Sequence, residues 1–311
     1  MTEPDPRNAM PPMAEWTRIL APTDFSPSAE SAMRSAEYLC RRQRARLDLL
    51  HVIQLPAPSY LGRLGLDRDL RQTWIAGARE QLAELAREFA GSELEVEAIL
   101  REGKPWSEIL DVARERGAEL ICLGNSGHSV LERLLLGSTA ENVVRRSDVP
   151  VLIVRERPLA EVRRILVPVD FDPGTKVAIR FALAKFPAAE ISALHVVAPL
   201  PPADPVVGPL VPNLAAIREK IRGLLDRLGA REVTESVRLM ADPAAAVLEA
   251  AQETDVDLLV LTTHGRRGVK RAMLGSVAEK IVRHADRPVL VLPGPGRERK
   301  SSRPRSTHST P

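Results

Sequence analysis

Cysteine and aromatic residues are scarce in this sequence of 311 residues. Only ten residues are aromatic, whereas 44% are hydrophobic and 27% are charged, so we expect a globular protein with an aliphatic core. The two cysteines, Cys40 and Cys122, are too few for a disulfide framework, and neither has the CxxC spacing of a metal site. This composition excludes disorder of the whole chain, favours a reducing compartment and predicts no metal centre.

Long apolar runs are also missing. No stretch approaches the roughly 18 to 20 consecutive apolar residues that span a membrane. The segment Met1–Glu15 is rich in proline, carries more acidic than basic residues and lacks the apolar core of a signal peptide. We therefore expect residues 1–15 to form a flexible N-terminus, and we expect a cytoplasmic protein without membrane contact.

The basic charge of the chain lies at its C-terminal end. The formal net charge is +3, but the segment from Arg297 onward carries five basic residues and one acidic residue. The rest is close to neutral, whereas a nucleic-acid-binding domain is expected to present a basic face. We therefore expect no nucleic-acid partner, and we interpret residues 294–311 as a disordered basic tail.

The sequence contains the same domain twice. The segment Arg18–Pro27 returns 146 residues later, and Leu134–Val154 returns 138 residues later, so the second copy is eight residues shorter. A repeat of about 140 residues is far longer than a solenoid unit. This pattern predicts a first domain at residues 16–155 and a second at residues 162–293, joined by a short linker.

Each copy alternates short aliphatic runs with longer amphipathic segments, as in a parallel sheet with helices on both faces. Five strands are predicted in each copy, beginning near Arg18, Leu47, Leu94, Leu120 and Val151, and near Arg164, Ile191, Val233, Leu258 and Val289. The helices predicted in the first copy are Pro27–Arg44, Arg68–Ala90, Pro105–Arg116 and Ser138–Arg146. Ser26, followed by a proline, is the predicted N-cap of the first helix. The fold class is therefore α/β, with two tandem Rossmann-like domains.

The most informative motif follows the fourth strand of the first copy. Gly124 and Gly127 are followed, after nine further residues, by Gly137 and Ser138 at the start of a helix, with Thr139 next. Glycine lets the backbone approach an anion closely, and a helix N-terminus presents unpaired N–H groups and a positive dipole end. This spacing predicts a phosphate-binding loop.

Two further residues extend the predicted site. In an open parallel sheet, ligands bind beyond the carboxyl ends of the strands, where the strand order reverses. Asp24 follows the first strand and Val52 ends the second. We expect the Asp24 carboxylate to accept hydrogen bonds from ribose hydroxyls or an adenine amine, and Val52 to contact a base.

These motifs resemble the universal stress protein family. The resemblance rests on ILAPTDFSPSAESAM from Ile19, GNSGHSVLERLLLGS from Gly124 and the closing VPVLIV from Val149. It implies a five-stranded parallel sheet of order 3-2-1-4-5 and pairing of domains through the last strand, so that the two halves form an internal pseudo-dimer. A subset of the family binds ATP, which implies ATP, with or without Mg²⁺, at Asp24, Val52, Gly124, Gly127, Gly137, Ser138 and Thr139.

The second copy departs from the motif, because a threonine replaces its first glycine. The β-branched side chain occupies a place where the backbone should be bare, although its hydroxyl could also donate to a phosphate. Basic residues surround this loop (Arg266, Arg267, Lys270 and Arg271). Nucleotide binding there stays an open question, and the candidate residues are Asp170, Val196, Thr262, Gly265, Gly275, Ser276 and Val277.

Other chemically interesting residues are assigned structural roles. His51 and His195 end the second strand of each copy, which favours a packed, hydrogen-bonded histidine over a catalytic one. Cys122 is interpreted as a small core residue. Glu141 and Glu279 are expected to be solvated or paired.

No catalytic residue is predicted. The sequence contains no GxxxxGK[ST] motif and no recognisable set of nucleophile, base and orienting group. The favoured hypothesis is an ATP-binding regulatory protein of the stress response. Two alternatives stay open: a slow ATPase in which Asp24 holds Mg²⁺ through the phosphates, and a nucleotide-free protein-interaction module. Whether two chains form a homodimer, and which proteins are partners, is also open.

Overall fold

The structure is a computed structural model. It describes residues 15–54, 68–91, 93–125, 136–199, 212–263 and 274–294. Apart from their innermost residues, Glu15 and Gly294, the predicted flexible N-terminus and the predicted basic tail lie outside these ranges.

The described residues form ten strands and eight helices, which alternate except where β5 is followed directly by β6. The strands are β1 (Arg18–Thr23), β2 (Arg46–Ile53), β3 (Val96–Glu102), β4 (Leu120–Gly124), β5 (Val151–Val154), β6 (Arg164–Pro168), β7 (Glu190–Val197), β8 (Thr234–Leu239), β9 (Leu258–Thr262) and β10 (Val289–Leu292). The helices are α1 (Pro27–Gln43), α2 (Arg68–Phe89), α3 (Pro105–Arg116), α4 (Ser138–Arg146), α5 (Pro173–Lys185), α6 (Leu214–Leu228), α7 (Pro243–Glu253) and α8 (Ser276–His284).

The predicted elements are confirmed with small shifts at their ends. The side chain of Ser26 accepts a hydrogen bond from the Ala29 N–H at 3.3 Å, so the predicted N-cap of α1 is present. Helix α1 stops one residue early, because Arg44 adopts a left-handed conformation with φ of 54°. Strand β3 begins two residues after Leu94, whose buried side chain belongs to the core although its backbone precedes the strand.

All ten strands belong to one sheet. Its order is β3-β2-β1-β4-β5-β10-β9-β6-β7-β8, so each half has the order 3-2-1-4-5 that the resemblance implied. Pairing is parallel within each half and antiparallel between β5 and β10, where Leu152 lies opposite Leu290. The last strands therefore join the two halves, as expected for an internal pseudo-dimer.

The apolar side chains form one core on each face of the sheet, and each core runs through both halves. Neighbouring residues of β1 alternate between them, with Ile19 in one and Leu20 in the other, as the two-residue period of a strand requires. Both cysteines are buried in the first core, so the prediction for Cys122 is confirmed, and burial raises the pKa of both thiols.

A tryptophan adds a second contact between the halves. The ring of Trp16, which precedes β1, lies 6.2 Å from the rings of both Phe181 and Phe186 in the second half. The linker is also tied to the first half, since the Leu159 N–H donates to the Ser35 hydroxyl at 2.8 Å. Within the described ranges, no helix is long and apolar enough to cross a membrane.

The first half contains a buried ion pair at a position where the second half has a serine. Asp48 in β2 is 1% exposed, and both of its carboxylate oxygens lie 2.9 Å from Nη1 of Arg18, while Nε of Arg116 lies 3.3 Å away. The residue at the matching position of β7 is Ser192.

We predict that Asp48→Ala lowers the free energy of unfolding by about 3 kcal/mol, because it leaves two arginines without their buried counter-charge. This is the lower end of the usual range, since both arginines keep some contact with water. Urea denaturation followed by circular dichroism measures the change. Ser192→Ala is the matched control, with an expected loss below about 1 kcal/mol; equal losses in the two variants would contradict the prediction.

Candidate functional site

A cavity of about 260 Å³ opens at the carboxyl ends of β1, β2 and β4 in the first half. Strand β1 pairs with both β2 and β4, so the strand order reverses at this point, where ligands bind in open parallel sheets. The structure brings six of the predicted residues to the wall of this cavity: Asp24, Val52, Gly124, Gly137, Ser138 and Thr139. The seventh, Gly127, lies outside the described residues.

The turn that presents Asp24 is backbone-strained. Phe25 has φ of 62°, a left-handed conformation that is uncommon for a bulky residue. Its N–H donates to the Thr23 hydroxyl at 2.9 Å, and one Asp24 carboxylate oxygen accepts the Ser26 N–H at 3.0 Å. These bonds fix the Asp24 carboxylate at the cavity wall.

A histidine supports this turn. Nδ1 of His51 donates to the Thr23 carbonyl at 2.8 Å, and the His51 ring lies 4.5 Å from the ring of Phe25. In the second half, His195 has the same arrangement with the Val169 carbonyl at 2.6 Å and with Phe171 at 4.7 Å. The predicted structural role of both histidines is therefore confirmed.

The N-terminus of α4 forms another part of the wall. Its N-cap is Gly137, which has no side chain to bond the first N–H groups of the helix. The Gly137 N–H donates to the Asn125 carbonyl at 2.7 Å, which ties the start of the helix to the end of β4. Glu141 in the first turn is paired with Arg145 at 2.7 Å, as expected, so its charge is partly neutralised.

Gly124 is required for packing inside the protein. A Cβ at this position would lie 2.7 Å from the Ser28 hydroxyl oxygen, 2.8 Å from the Ser28 carbonyl carbon and 2.9 Å from the Ala29 nitrogen. The sequence pattern had suggested that a bare backbone here serves the approach of an anion. In the structure, the missing side chain makes room for the first turn of α1.

Sequence reasoning missed part of the cavity wall. Pro105 and Ile109 of α3 line it together with Leu50 of β2. The sequence contained a signal that predicts the position of α3. The proline that opens this helix follows β3, and the carboxyl ends of parallel strands share one edge of the sheet, so the start of α3 is expected near the cavity.

A second cavity, of about 390 Å³, lies beside the linker between the halves. Charged groups in its wall pair with each other: Arg157 lies 3.8 Å from Asp255, and Arg163 lies 2.7 Å from Glu161. The first cavity, with its apolar wall and its helix N-terminus, is therefore the better candidate for a ligand site.

Comparison with known proteins identifies the family. The family model described as the universal stress protein family matches residues 15–155 and again residues 161–293. The chain belongs to the universal stress protein family.

The relatives that match this chain cover either most of it or about half of it. A universal stress protein of Mycolicibacterium smegmatis is 28% identical over 289 residues, which cover 88% of this chain and 96% of that protein. One from Methanocaldococcus jannaschii is 30% identical over 156 residues, 46% of this chain and 96% of its own. The crystal structure of one from Archaeoglobus fulgidus superposes with a TM-score of 0.66 at 24% identity, covering 89% of this chain and 96% of that chain, which supports the fold.

The second universal stress protein domain repeats the backbone of the first. Gly275 is the N-cap of α8 and donates its N–H to the Thr263 carbonyl at 3.0 Å, as Gly137 does in the first half. The described candidates all lie where the repeat predicts: Asp170 after β6, Val196 in β7, Thr262 at the end of β9, Gly275 before α8, and Ser276 and Val277 in its first turn. Gly265 lies outside the described residues.

We predict that Gly124→Ala lowers the free energy of unfolding of the nucleotide-free protein by about 1–3 kcal/mol, because the added methyl group overpacks the contact with α1. Gly77→Ala is the control: nothing lies within 4 Å of the place that its methyl group would take in α2, so we expect a gain of up to about 1 kcal/mol from helix propensity. Chemical denaturation of both variants checks this. An unchanged stability of Gly124→Ala would show that the contact with α1 is not the constraint.

Proposed function

We propose that this universal stress protein binds an adenine nucleotide, with ATP as the expected ligand, in the cavity of its first half. Its role in the stress response would then be regulatory, with the bound nucleotide changing its surface or its association with other proteins. The observation that carries the proposal is the convergence of Asp24, Val52, Gly124, Gly137 and Ser138 on one cavity at the switch point of the sheet.

One part of the cavity wall combines apolar side chains with a carboxylate, which suits the base and the ribose of a nucleoside. Leu50, Val52 and Ile109 supply apolar contacts for a flat base. The Asp24 carboxylate, held by the strained turn, is an acceptor for ribose hydroxyls. A carboxylate fixed by the backbone loses little conformational entropy when it binds a ligand, which favours affinity.

Another part of the wall suits phosphates. Helix α4 points the positive end of its dipole at the cavity, and the hydroxyl groups of Ser138 and Thr139 add donors there. The ion pair of Glu141 with Arg145 reduces the repulsion that an acidic first turn would exert on a phosphate.

A magnesium ion would enter with the phosphates. Among the described residues there is no cluster of three or more potential metal ligands, and Asp24 is the only carboxylate in the described cavity wall. The chemistry of this donor set fits an ion held mainly by phosphate oxygens, and Asp24 is the residue of the described wall that would add a carboxylate oxygen ligand.

The composition of the wall supports binding rather than catalysis. Asp24 is the only titratable side chain among the described residues that line the cavity. A hydrolase needs a group that activates or orients water as well as a group that stabilises the transition state. A single carboxylate that is already hydrogen-bonded within a turn does not supply both of these groups, so the described wall does not favour rapid hydrolysis.

A negative charge introduced at the start of α4 tests whether phosphates bind there. We predict that Ser138→Asp weakens ATP binding at least tenfold, because a carboxylate there repels the phosphates, while the helix itself tolerates an acidic residue at its N-terminus. Isothermal titration calorimetry with Mg-ATP measures the affinity, and thermal unfolding with and without millimolar Mg-ATP measures the stabilisation by ligand.

Asn213→Asp is the control for this experiment. It also adds one negative charge at the start of a helix, α6, where the side chain already accepts a hydrogen bond from the Ala216 N–H. We expect its affinity for ATP to stay within twofold of the original protein. Absence of ATP binding and of thermal stabilisation in the unaltered protein would contradict the proposal and favour the interaction-module hypothesis.

A further inference from the structure

The starts of two helices form part of the wall of the first-half cavity. Pro105 and Ile109 of α3 line it, and so do Ser138 and Thr139 of α4. The two helices pack against each other on the same face of the sheet. In the proposed function α3 contacts the base and α4 contacts the phosphates, so the spacing between these helices decides whether one nucleotide can meet both.

A tryptophan connects the two helices near the surface. Trp106, the second residue of α3, is half-buried and packs on the core beneath it. The guanidinium carbon of Arg146, the last residue of α4, lies 4.8 Å from the centre of the Trp106 ring, and Nζ of Lys104 lies 5.1 Å from it. Both distances are within the range of cation–π attraction. Among the described residues neither cation is paired with a carboxylate, so both positive charges stay unneutralised beside the ring.

The arginine is in turn connected to the start of α4. Its Nε donates to Oδ1 of Asn142 at 3.2 Å, and Nδ2 of Asn142 donates to the Ser138 carbonyl at 2.8 Å. A continuous row of contacts therefore runs from Ser138 in the cavity wall, along one side of α4, to Trp106, which follows Pro105 of the same wall. Trp106, Arg146 and Asn142 together form an α3–α4 bridge.

The second half joins the matching helices by an ion pair instead. Lys280 of α8 and Asp242 at the start of α7 stand where the first half has Asn142 and Lys104, and their side chains lie 3.1 Å apart. Both halves thus connect this pair of helices at the same place with unrelated chemistry. What the two arrangements share is that they hold the helices together.

We propose that Trp106 is a positioning residue for the nucleotide, which holds the start of α3 against α4 through Arg146 and so sets the spacing of the cavity wall. This inference rests on the proposed function. Trp106 is not among the described residues that line the cavity, so it acts through its neighbours Pro105 and Ile109. A wall that is held in place before binding loses less conformational entropy when the ligand arrives, which raises the affinity.

Variants of the bridge test the proposal by isothermal titration calorimetry with Mg-ATP. We expect Trp106→Ala to weaken the affinity about tenfold, because the ring and both of its cation contacts are lost. Trp106→Phe keeps an aromatic face for Arg146 and should stay within about threefold of the original protein. Arg146→Met removes an exposed cation and leaves the core intact, and we expect it to weaken binding about threefold to tenfold.

Lys280→Met is the matched control, because it breaks the corresponding tie in the second half. We expect its affinity to stay within about twofold of the original protein, and circular dichroism verifies that each variant is folded. Unchanged affinity in Arg146→Met and in folded Trp106→Ala would overturn the inference and leave the proposed function intact. An equal loss in Lys280→Met, or no recovery in Trp106→Phe, would also overturn it, since general destabilisation would then explain the effect. Absence of ATP binding to the original protein would overturn the proposed function itself.

A spectroscopic measurement separates positioning from a purely structural role. The chain has three tryptophans, so labelling with 5-fluorotryptophan gives three fluorine NMR resonances, which single phenylalanine replacements assign. We expect Mg-ATP to shift the resonance of Trp106 and to leave that of Trp16, in the core on the opposite face of the sheet, unchanged. The shift should shrink in Arg146→Met, because the ring then loses its contact with α4. An unshifted Trp106 resonance at saturating Mg-ATP would overturn the inference.

Discussion

The antiparallel pairing of β5 with β10 is the contact on which the rest of the structure depends. Every residue of both strands is buried, and both are short, continuous apolar runs. Left as sheet edges, they would expose unpaired backbone groups and apolar side chains, which promotes aggregation. Their pairing removes both edges at once, makes ten strands one sheet, and lets each core run through both halves.

The same pairing supports the candidate site from the opposite half. Arg145 of α4 lies 2.7 Å from Glu141 in its own helix and 3.9 Å from Glu279 in α8, and Glu279 lies 2.9 Å from Arg283. The helix whose N-terminus lines the cavity is therefore held by a charge network that crosses the pseudo-twofold axis. The second half therefore has a physical role in the first cavity, because it helps to position the helix whose N-terminus lines that cavity.

The two halves share their backbone and differ in some of the side chains between the first helix and the fourth strand. The strained turn with its phenylalanine and histidine is present twice, which indicates that it belongs to the fold itself rather than to one ligand. The contact between the first turn of α1 or α5 and the end of the fourth strand differs, with Ser28 and Gly124 in one half and Gly174 and Thr262 in the other. A glycine in place of Ser28 removes one of the three close contacts that a side chain at position 124 would meet; the other two are with backbone atoms of α1.

The sequence by itself determined the repeat, the strands and helices, and six residues of the first cavity wall, because periodicity and spacing are local properties of the chain. The strand order came from the resemblance to a family, and the structure confirms it. Only the tertiary structure decided why Gly124 is bare, because its constraint is α1, almost a hundred residues earlier in the chain. The contacts of Trp16 with Phe181 and the engagement of Asp170 by Thr175 were likewise beyond sequence reasoning, since they depend on which side chains the folded backbone brings within a few ångströms of each other.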